Sequence, residues 1–245
     1  MTAENYFGEE AAARYDDASA DMFDPAVVGP VVDFLVELAG DGGALELGIG
    51  TGRIGLPLAE RGVRVHGIDL SEAMLARLRA KPGADRIGVT VGDFASAKVD
   101  ETFSLAYLVF NTIMNLTTRE AQAGCFRNVA AHLEPGGCFV VEVGVPDLRR
   151  LPPGETLLPI GVSEGYIGLD EVDTSRQRLI SHHVRLADDG TYRRSSIPFR
   201  YVWPEELDLM ADAAGMQLRQ RWSGWRREPF THESTTHVSV WERIR

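Results

Sequence analysis

The sequence predicts an α/β protein built on a doubly wound, mainly parallel sheet, and three observations carry that reading. Short apolar runs alternate with helical patterns through the first 145 residues, the order that parallel strands with crossover helices require. One of those runs, residues 103–110, is nearly all apolar, as a strand covered on both faces must be. The first strand also ends in alternating glycines that lead straight into a helical pattern. Such sheets hold polar ligands at a loop of this kind, outside the strand ends.

Each element has a local justification. Residues 1–24 are polar and marked by Tyr6, Phe7 and Tyr15. Asp24-Pro25 then supplies an N-cap and a first-turn proline. Val27, Val28, Val31, Val32, Leu35 and Leu38 follow at helical spacing until Gly40. Strand one is expected at 44–47, and a helix at 53–60 in which Pro57 is tolerable only near the first turn. Strand two, 63–68, ends at Asp69, and Ser71 caps a helix over 72–80 that stops before Lys81-Pro82-Gly83. Strand three, 87–91, leads to Gly92-Asp93-Phe94, and strand four is the apolar run 103–110. Thr117 and Glu120 form a capping box for a helix to 133. Glu134-Pro135-Gly136-Gly137 turns the chain into strand five, 138–145.

After Pro146 the pattern changes. Segments 166–173, 178–186 and 191–203 read as consecutive antiparallel strands, with Asp188-Asp189-Gly190 as a hairpin turn. A helix over 204–214 is closed by Gly215, and strands at 216–225 and 235–242 complete the chain. The expected organisation is one domain made of residues 1–146 and 204–245, carrying a small β-rich cap or substrate insertion at 147–203.

Composition narrows the function classes. The chain has 245 residues, 44% hydrophobic and 25% charged, which argues against wholesale disorder. No run approaches the roughly 18 apolar residues of a membrane span, so no membrane partner is expected. The acidic, Ala-rich N-terminus lacks a secretory pattern, and Cys125 and Cys138 read as buried thiols of a cytoplasmic protein. A net charge of −11 disfavours nucleic acid as substrate. Arg219, Arg221, Arg226 and Arg227 read as solvated strand faces rather than a binding patch.

The glycines Gly48, Gly50 and Gly52, with Asp69 at the tip of the second strand, form a nucleoside-cofactor site. The carboxylate suits a ribose diol, and the glycines leave backbone that no Cβ obstructs. Gly50, Gly52 and Gly55 also spell the G-x-G-x-x-G of NAD sites, a weak match alone. Three features turn the reading toward S-adenosylmethionine. Glu46 puts an anion before the glycines, suited to ammonium and sulfonium charges. Asp93-Phe94 can accept from an adenine amino group and cover its ring. No large second α/β domain is present for a hydride acceptor.

At these residues the chain resembles the class I S-adenosylmethionine-dependent methyltransferases of the small-molecule type. The matching elements are Leu45-Glu46-Leu47-Gly48-Ile49-Gly50-Thr51-Gly52, Gly67-Ile68-Asp69-Leu70-Ser71-Glu72-Ala73-Met74, Val91-Gly92-Asp93-Phe94, Val109-Phe110-Asn111-Thr112 and residues 134–141. The resemblance implies a Rossmann-like, seven-stranded sheet, mostly parallel with an antiparallel C-terminal hairpin at one edge. It implies that Glu46 faces the methionyl end and that Gly48, Gly50 and Gly52 pass under the cofactor. Asp69 would hold the ribose hydroxyls, and Leu70 and Met74 would line the adenine side. Asp93 and Phe94 would read adenine, and Phe110 with Asn111 would sit beside the methyl donor. Tyr15 either closes over the cofactor's carboxylate or packs a surface helix.

The expected chemistry is in-line methyl transfer to an O, N or C nucleophile of a small molecule, governed mainly by alignment with room for one general base. His232 and His182 are the candidate bases, ahead of Glu142 and Glu164, against plain roles as loop and core residues. No metal site is expected from the spacing of His, Cys and Glu. Tyr166, Phe199, Tyr201, Trp203, Trp222, Trp225 and Phe230 cluster in the last third, as core or as walls of an acceptor pocket. The chain is expected to act as a monomer or homodimer. The alternatives are an NAD-dependent oxidoreductase and a cofactor-binding protein without catalysis.

Overall fold

A computed structural model describes residues 6–187 and 189–244. Its first half alternates helix and strand: α1 (Glu9–Ala18), α2 (Pro25–Ala39), β1 (Gly43–Leu47), α3 (Gly55–Glu60), β2 (Arg64–Asp69), α4 (Glu72–Arg79), β3 (Gly88–Val91), β4 (Phe103–Leu108), α5 (Arg119–His132) and β5 (Leu133–Gly144). Four antiparallel strands follow, β6 (Leu157–Ser163), β7 (Tyr166–Asp173), β8 (Arg178–Leu186) and β9 (Tyr192–Arg200). The chain then returns through α6 (Pro204–Ala213), β10 (Met216–Trp222) and β11 (Thr236–Arg243).

The large sheet has the order β10-β11-β5-β4-β1-β2-β3. Strands β1 to β5 pair in parallel. β11 runs antiparallel to both β5 and β10, so the last two strands form the expected hairpin at one edge. Alternation along the central strands feeds two cores. Leu105 and Tyr107 of β4 pack with α2, α3 and α4 on one face. Ala106 and Leu108 pack with α5 and α6 on the other. The sheet is therefore doubly wound, and the ligand-binding edge lies at the carboxyl ends of its parallel strands.

Several boundaries follow from local chemistry. Asp24 accepts a hydrogen bond from Ala26 N at 2.7 Å, which starts α2. Ser71 does the same for α4. Pro57 lies in the first turn of α3, where its missing N–H would have no intrahelical partner anyway. The cap of α5 is Thr118, whose hydroxyl accepts from Ala121 N at 3.1 Å, one residue later than the capping box at Thr117 predicts. The strand β6 is absent from the sequence reading because Pro159 and Gly161 interrupt its pattern. Both are compatible with an edge strand, where one side of the backbone needs no partner. The expected hairpin turn includes Asp188, which lies outside the described residues.

The second sheet is joined to the first by a buried polar group. Arg200, at the end of β9, meets Glu206 of α6 at 2.5 Å and also binds Gln122 of α5 and Gln177. Gln122 in turn donates to the carbonyls of Arg200 and Ile113. Burying an arginine is costly unless its donors are met, and here they are.

On the α5/α6 side, Phe126, Phe139 and Trp241 form an edge-to-face cluster with centroids 5.0 and 5.4 Å apart about Phe126. Trp241 is fully buried and donates from its ring N–H to Asp208 at 2.8 Å. Replacing Trp241 by Ala removes that packing and leaves Asp208 short of a donor. The expected loss is about 3–5 kcal/mol of unfolding free energy, read from urea denaturation curves. A change below about 1 kcal/mol would place this cluster outside the stabilising core.

Candidate functional site

The chain leaves β1 at Leu47 and turns sharply. Gly48 and Gly50 both have positive φ, 73° and 57°, which residues with a Cβ rarely adopt. A Cβ at Gly48 would also lie 2.7 Å from Thr112 Cγ2. At Gly50, which has no side chain of its own to hold the loop, Asp69 supplies the hold. Its Oδ2 accepts from Gly50 N at 2.7 Å and its Oδ1 accepts from Ser71 N at 2.8 Å. Burial raises the Asp69 pKa, opposed by these backbone donors.

Above the loop lies a cleft of about 780 Å³ counted out to its open mouth. Tyr15, Gly48, Gly50, Asp69, Leu70, Met74, Asp93 and Phe94 all line it. Sequence reasoning did not assign Tyr6, Phe7, Asn115 or Leu116 to the wall, and placed Thr112 only within a matching motif. Tyr6 and Phe7 stood out as an aromatic pair in a polar stretch, a signal too general to place them.

Three residues expected to bind the cofactor are not on the wall. Gly52 faces α4, where a Cβ would come within 2.4 Å of Leu78 Cδ1. Glu46 lies beneath the loop, 3% exposed, accepting from Tyr107 Oη at 2.9 Å and from the backbone N–H of Gly55. Gly55 is glycine for the same reason, since a Cβ there would stand 2.6 Å from Glu46 Oε2. The third glycine of the G-x-G-x-x-G spelling thus makes room for a carboxylate rather than for a pyrophosphate. Burial pushes the Glu46 pKa up to about 8.

Phe110 is the third. It and Asn111 both adopt left-handed backbone conformations, φ 57° and 61°, a strained pair at the end of β4. The turn is held by Glu142, which accepts from Phe110 N at 2.9 Å, and by Asn111 Oδ1, which accepts from Gly144 N at 2.7 Å. The half-exposed Phe110 ring lies under the Arg53 guanidinium, 5.2 Å from centroid to Cζ.

The N-terminal segment is strapped to this frame. Asp16 of α1 accepts from Thr51 Oγ1 at 2.6 Å and pairs with Lys81 Nζ at 2.5 Å. Lys81 also donates to the Thr51 carbonyl at 2.9 Å, and Ser71 Oγ donates to Phe7 O at 2.5 Å. Tyr15 is thereby held at the wall, its ring edge-on to Phe7. Burial raises its pKa, so its hydroxyl keeps its proton.

The candidate bases lie elsewhere. His182 is on β8, with Nδ1 on Ser196 Oγ at 2.8 Å and Nε2 on Glu171 Oε2 at 3.2 Å. Its face of the second sheet also carries the exposed Ile167 and Leu186, so alternation with apolar neighbours marks an outer face here, not a core. His232 is exposed in the loop before β11. Neither lines the cleft. Glu142 is committed to the Phe110 turn, and Glu164 is exposed between β6 and β7. Cys125 and Cys138 are free and buried.

A family model described as a methyltransferase domain matches residues 44–137, the segment from β1 to the turn within β5. The solved CcbJ methyltransferase from Streptomyces caelestis is 35% identical to this chain. It superposes over 98% of this chain and 99% of its own, with a TM-score of 0.88. The cypemycin N-terminal methyltransferase of a Streptomyces species is 27% identical over 204 residues, 81% of this chain and 82% of its own. The dTDP-3-amino-3,4,6-trideoxy-alpha-D-glucopyranose N,N-dimethyltransferase of Streptomyces venezuelae is 28% identical over 141 residues, 56% of this chain and 52% of its own.

The buried Glu46 generates a pH prediction. A carboxyl whose pKa is raised from 4.5 to about 8 on folding binds its proton more tightly in the folded state. The resulting stabilisation is whole below about pH 4.5 and is lost as pH rises through about 8. Against Glu46→Gln, the wild type should therefore lose melting temperature steadily across that window, and the two curves should run parallel above it. A constant offset from about pH 4.5 to 8 in differential scanning fluorimetry would show that Glu46 stays ionised when buried.

Proposed function

The chain belongs to the class I S-adenosylmethionine-dependent methyltransferases, and we propose that the acceptor it methylates is an amine nitrogen of a small molecule. One observation carries the choice of nitrogen. The only charged side chains lining the cleft among the described residues are Asp69 and Asp93, with no histidine, lysine or arginine. With both carboxylates facing the cofactor, the cleft offers no strong base for deprotonating a hydroxyl acceptor. An amine needs none, since it attacks as its free base. Two relatives at 27% and 28% identity support the same class, being named for methylation of a peptide N-terminus and of an amino sugar.

The residues present fit S-adenosylmethionine. Gly48 and Gly50 form a cradle that side chains would fill, and Asp69 keeps acceptor capacity on both oxygens for a pair of hydroxyls. In this reading Asp69 holds the ribose diol, Leu70 and Met74 line the adenine, and Asp93 with Phe94 meets its amino group and its face. Gly48 and Gly50 pass beneath the chain of the cofactor, and Tyr15 closes over its methionyl end. Glu46 acts from below, as an anchor of the loop whose ionised form a nearby positive charge would favour. Gly52 serves packing against α4, and Phe110 borders the methyl-transfer end without walling the cleft.

When bound, the cofactor supplies a methyl group already activated on a sulfonium. The chain's own share is then alignment and exclusion of water. α1, strapped by Asp16, keeps Tyr15 at the wall. No helix of the described residues is long and apolar enough to cross a membrane. We place the enzyme in the cytoplasm, a reading that its two free, buried thiols support.

The acceptor class is tested with S-adenosylmethionine carrying a 13C-methyl group, incubated with amines, phenols and carboxylic acids. New methyl resonances should appear at N-methyl shifts, from amino sugars or N-terminal amines. Products methylated only on oxygen would overturn the nitrogen assignment. Asp69→Ala should weaken S-adenosylmethionine binding by about tenfold to a hundredfold in calorimetry, the scale of hydrogen bonds to a charged group. Unchanged affinity would take Asp69 out of the cofactor site.

A further inference from the structure

The second sheet carries a polar arrangement on its inner face that the cofactor site does not use. Strand register puts Tyr166, Gly168, Asp170 and Val172 of β7 on one face with Arg185, His183, Ser181 and Leu179 of β8. Val172, Ser181 and Gly168 on that face are buried, while Val162, Ile167, Leu186 and Tyr192 on the opposite face are exposed. The buried side therefore faces the body of the protein. Its two ends are tied to the borders of the cleft. Arg193 of β9 pairs with Glu10 of α1 at 3.0 Å, and β9 packs against the turn Thr112–Asn115. The stretch between those ties carries Asp170, Ser181 and His183, none of which lines the cleft described above.

The group is built rather than incidental. Tyr166 Oη lies 2.9 Å from His183 Nδ1, and the two rings stack at 6.0 Å and 21°. The Tyr166 ring sits over two glycines: a Cβ at Gly168 would be 2.4 Å from its Oη, and one at Gly161 3.2 Å from its Cε1. Arg185 covers the ring at 4.5 Å. With Nδ1 engaged, the Nε2 edge of His183 is the one that can meet a ligand. Burial, with the Arg185 charge second, holds the His183 pKa below its usual value. Beside it, Asp170 has Ser181 as a hydrogen-bond partner, yet its Oδ1 is buried with no partner at all. A buried carboxylate oxygen left unmet is costly, and a donor arriving from a ligand would remove that cost.

From this arrangement the geometry points to an acceptor subsite in which Asp170 takes a protonated amino or other N–H donor group of the methyl acceptor, with His183, set by Tyr166, as its neighbour. The assignment rests on the amine reading above and deepens it, since it names the side chains that select such an acceptor. It also separates two adjacent histidines. His182 is bonded at both ring nitrogens on the outer face, whereas His183 shares the inner face with Asp170. Asp170 acts by binding, and Tyr166 is a positioning residue for His183.

The test is steady-state methylation by the full chain of the best amine from the 13C-methyl panel. Asp170→Asn keeps the shape of the side chain and removes its charge. It should raise KM for the amine at least about tenfold, with kcat changed less. Affinity for S-adenosylhomocysteine and melting temperature should stay at wild-type values. Tyr166→Phe, which keeps the ring stack and loses the hydroxyl, should raise KM in the same direction by a smaller factor, and it serves alone if Asp170→Asn fails to fold. An unchanged KM in the folded variants overturns the subsite while leaving amine methylation intact. A wild type that methylates only oxygen acceptors overturns the amine reading, and the assignment of Asp170 to an amine falls with it.

Discussion

One carboxylate sets the geometry on which the rest of the site depends. The loop after β1 carries glycine at every second position because ligand and backbone must approach closely, and such positions have no side chain to fix their shape. Asp69 resolves that conflict by accepting one backbone N–H from the loop and one from the turn that opens α4. Its position at the tip of β2, paired beside β1 in the sheet, makes those two bonds possible together. The same carboxylate is left facing the cleft, so one side chain both shapes the floor and presents acceptors to a ligand.

Around that floor the molecule separates its tasks. The parallel strands and their helices supply a rigid edge, with Glu46 bonded from beneath by Tyr107 and Gly55. The strap of α1 supplies the closure, through Asp16, Thr51 and Lys81 on one side and Phe7 and Ser71 on the other. The strained turn at Phe110 and Asn111 forms the far border, held by Glu142 and Gly144. The second sheet, fixed through Arg200, carries a different set of polar groups on its inner face. A methyl donor and its acceptor demand unlike surroundings, and the chain draws those surroundings from two different sheets.

Much of this was legible in the sequence, and what was legible is local. The glycine loop, Asp69 and Asp93-Phe94 sit at strand ends, where residue type and strand order already constrain what each can do. The alternation of apolar runs gave the doubly wound sheet for the same reason. Features set by distant packing were not legible. Glu46 turns away from the cleft because Tyr107, on the neighbouring strand, offers it a hydroxyl. Strand register puts His182 and His183 on opposite faces, but which face turns inward depends on what the second sheet packs against. The edge strand β6 was hidden by Pro159 and Gly161, and without it the seat of Tyr166 over Gly161 and Gly168 has no sequence signature.

The most direct test of this account is a crystal structure of the chain with S-adenosylhomocysteine. The account predicts the ribose hydroxyls within hydrogen-bond distance of Asp69, and the adenine between Leu70, Asp93 and Phe94. The homocysteine chain should run over Gly48 and Gly50 toward Tyr15, with its sulfur directed to the Phe110 end. A ribose bound away from Asp69, or a nucleoside seated outside the glycine loop, would contradict it.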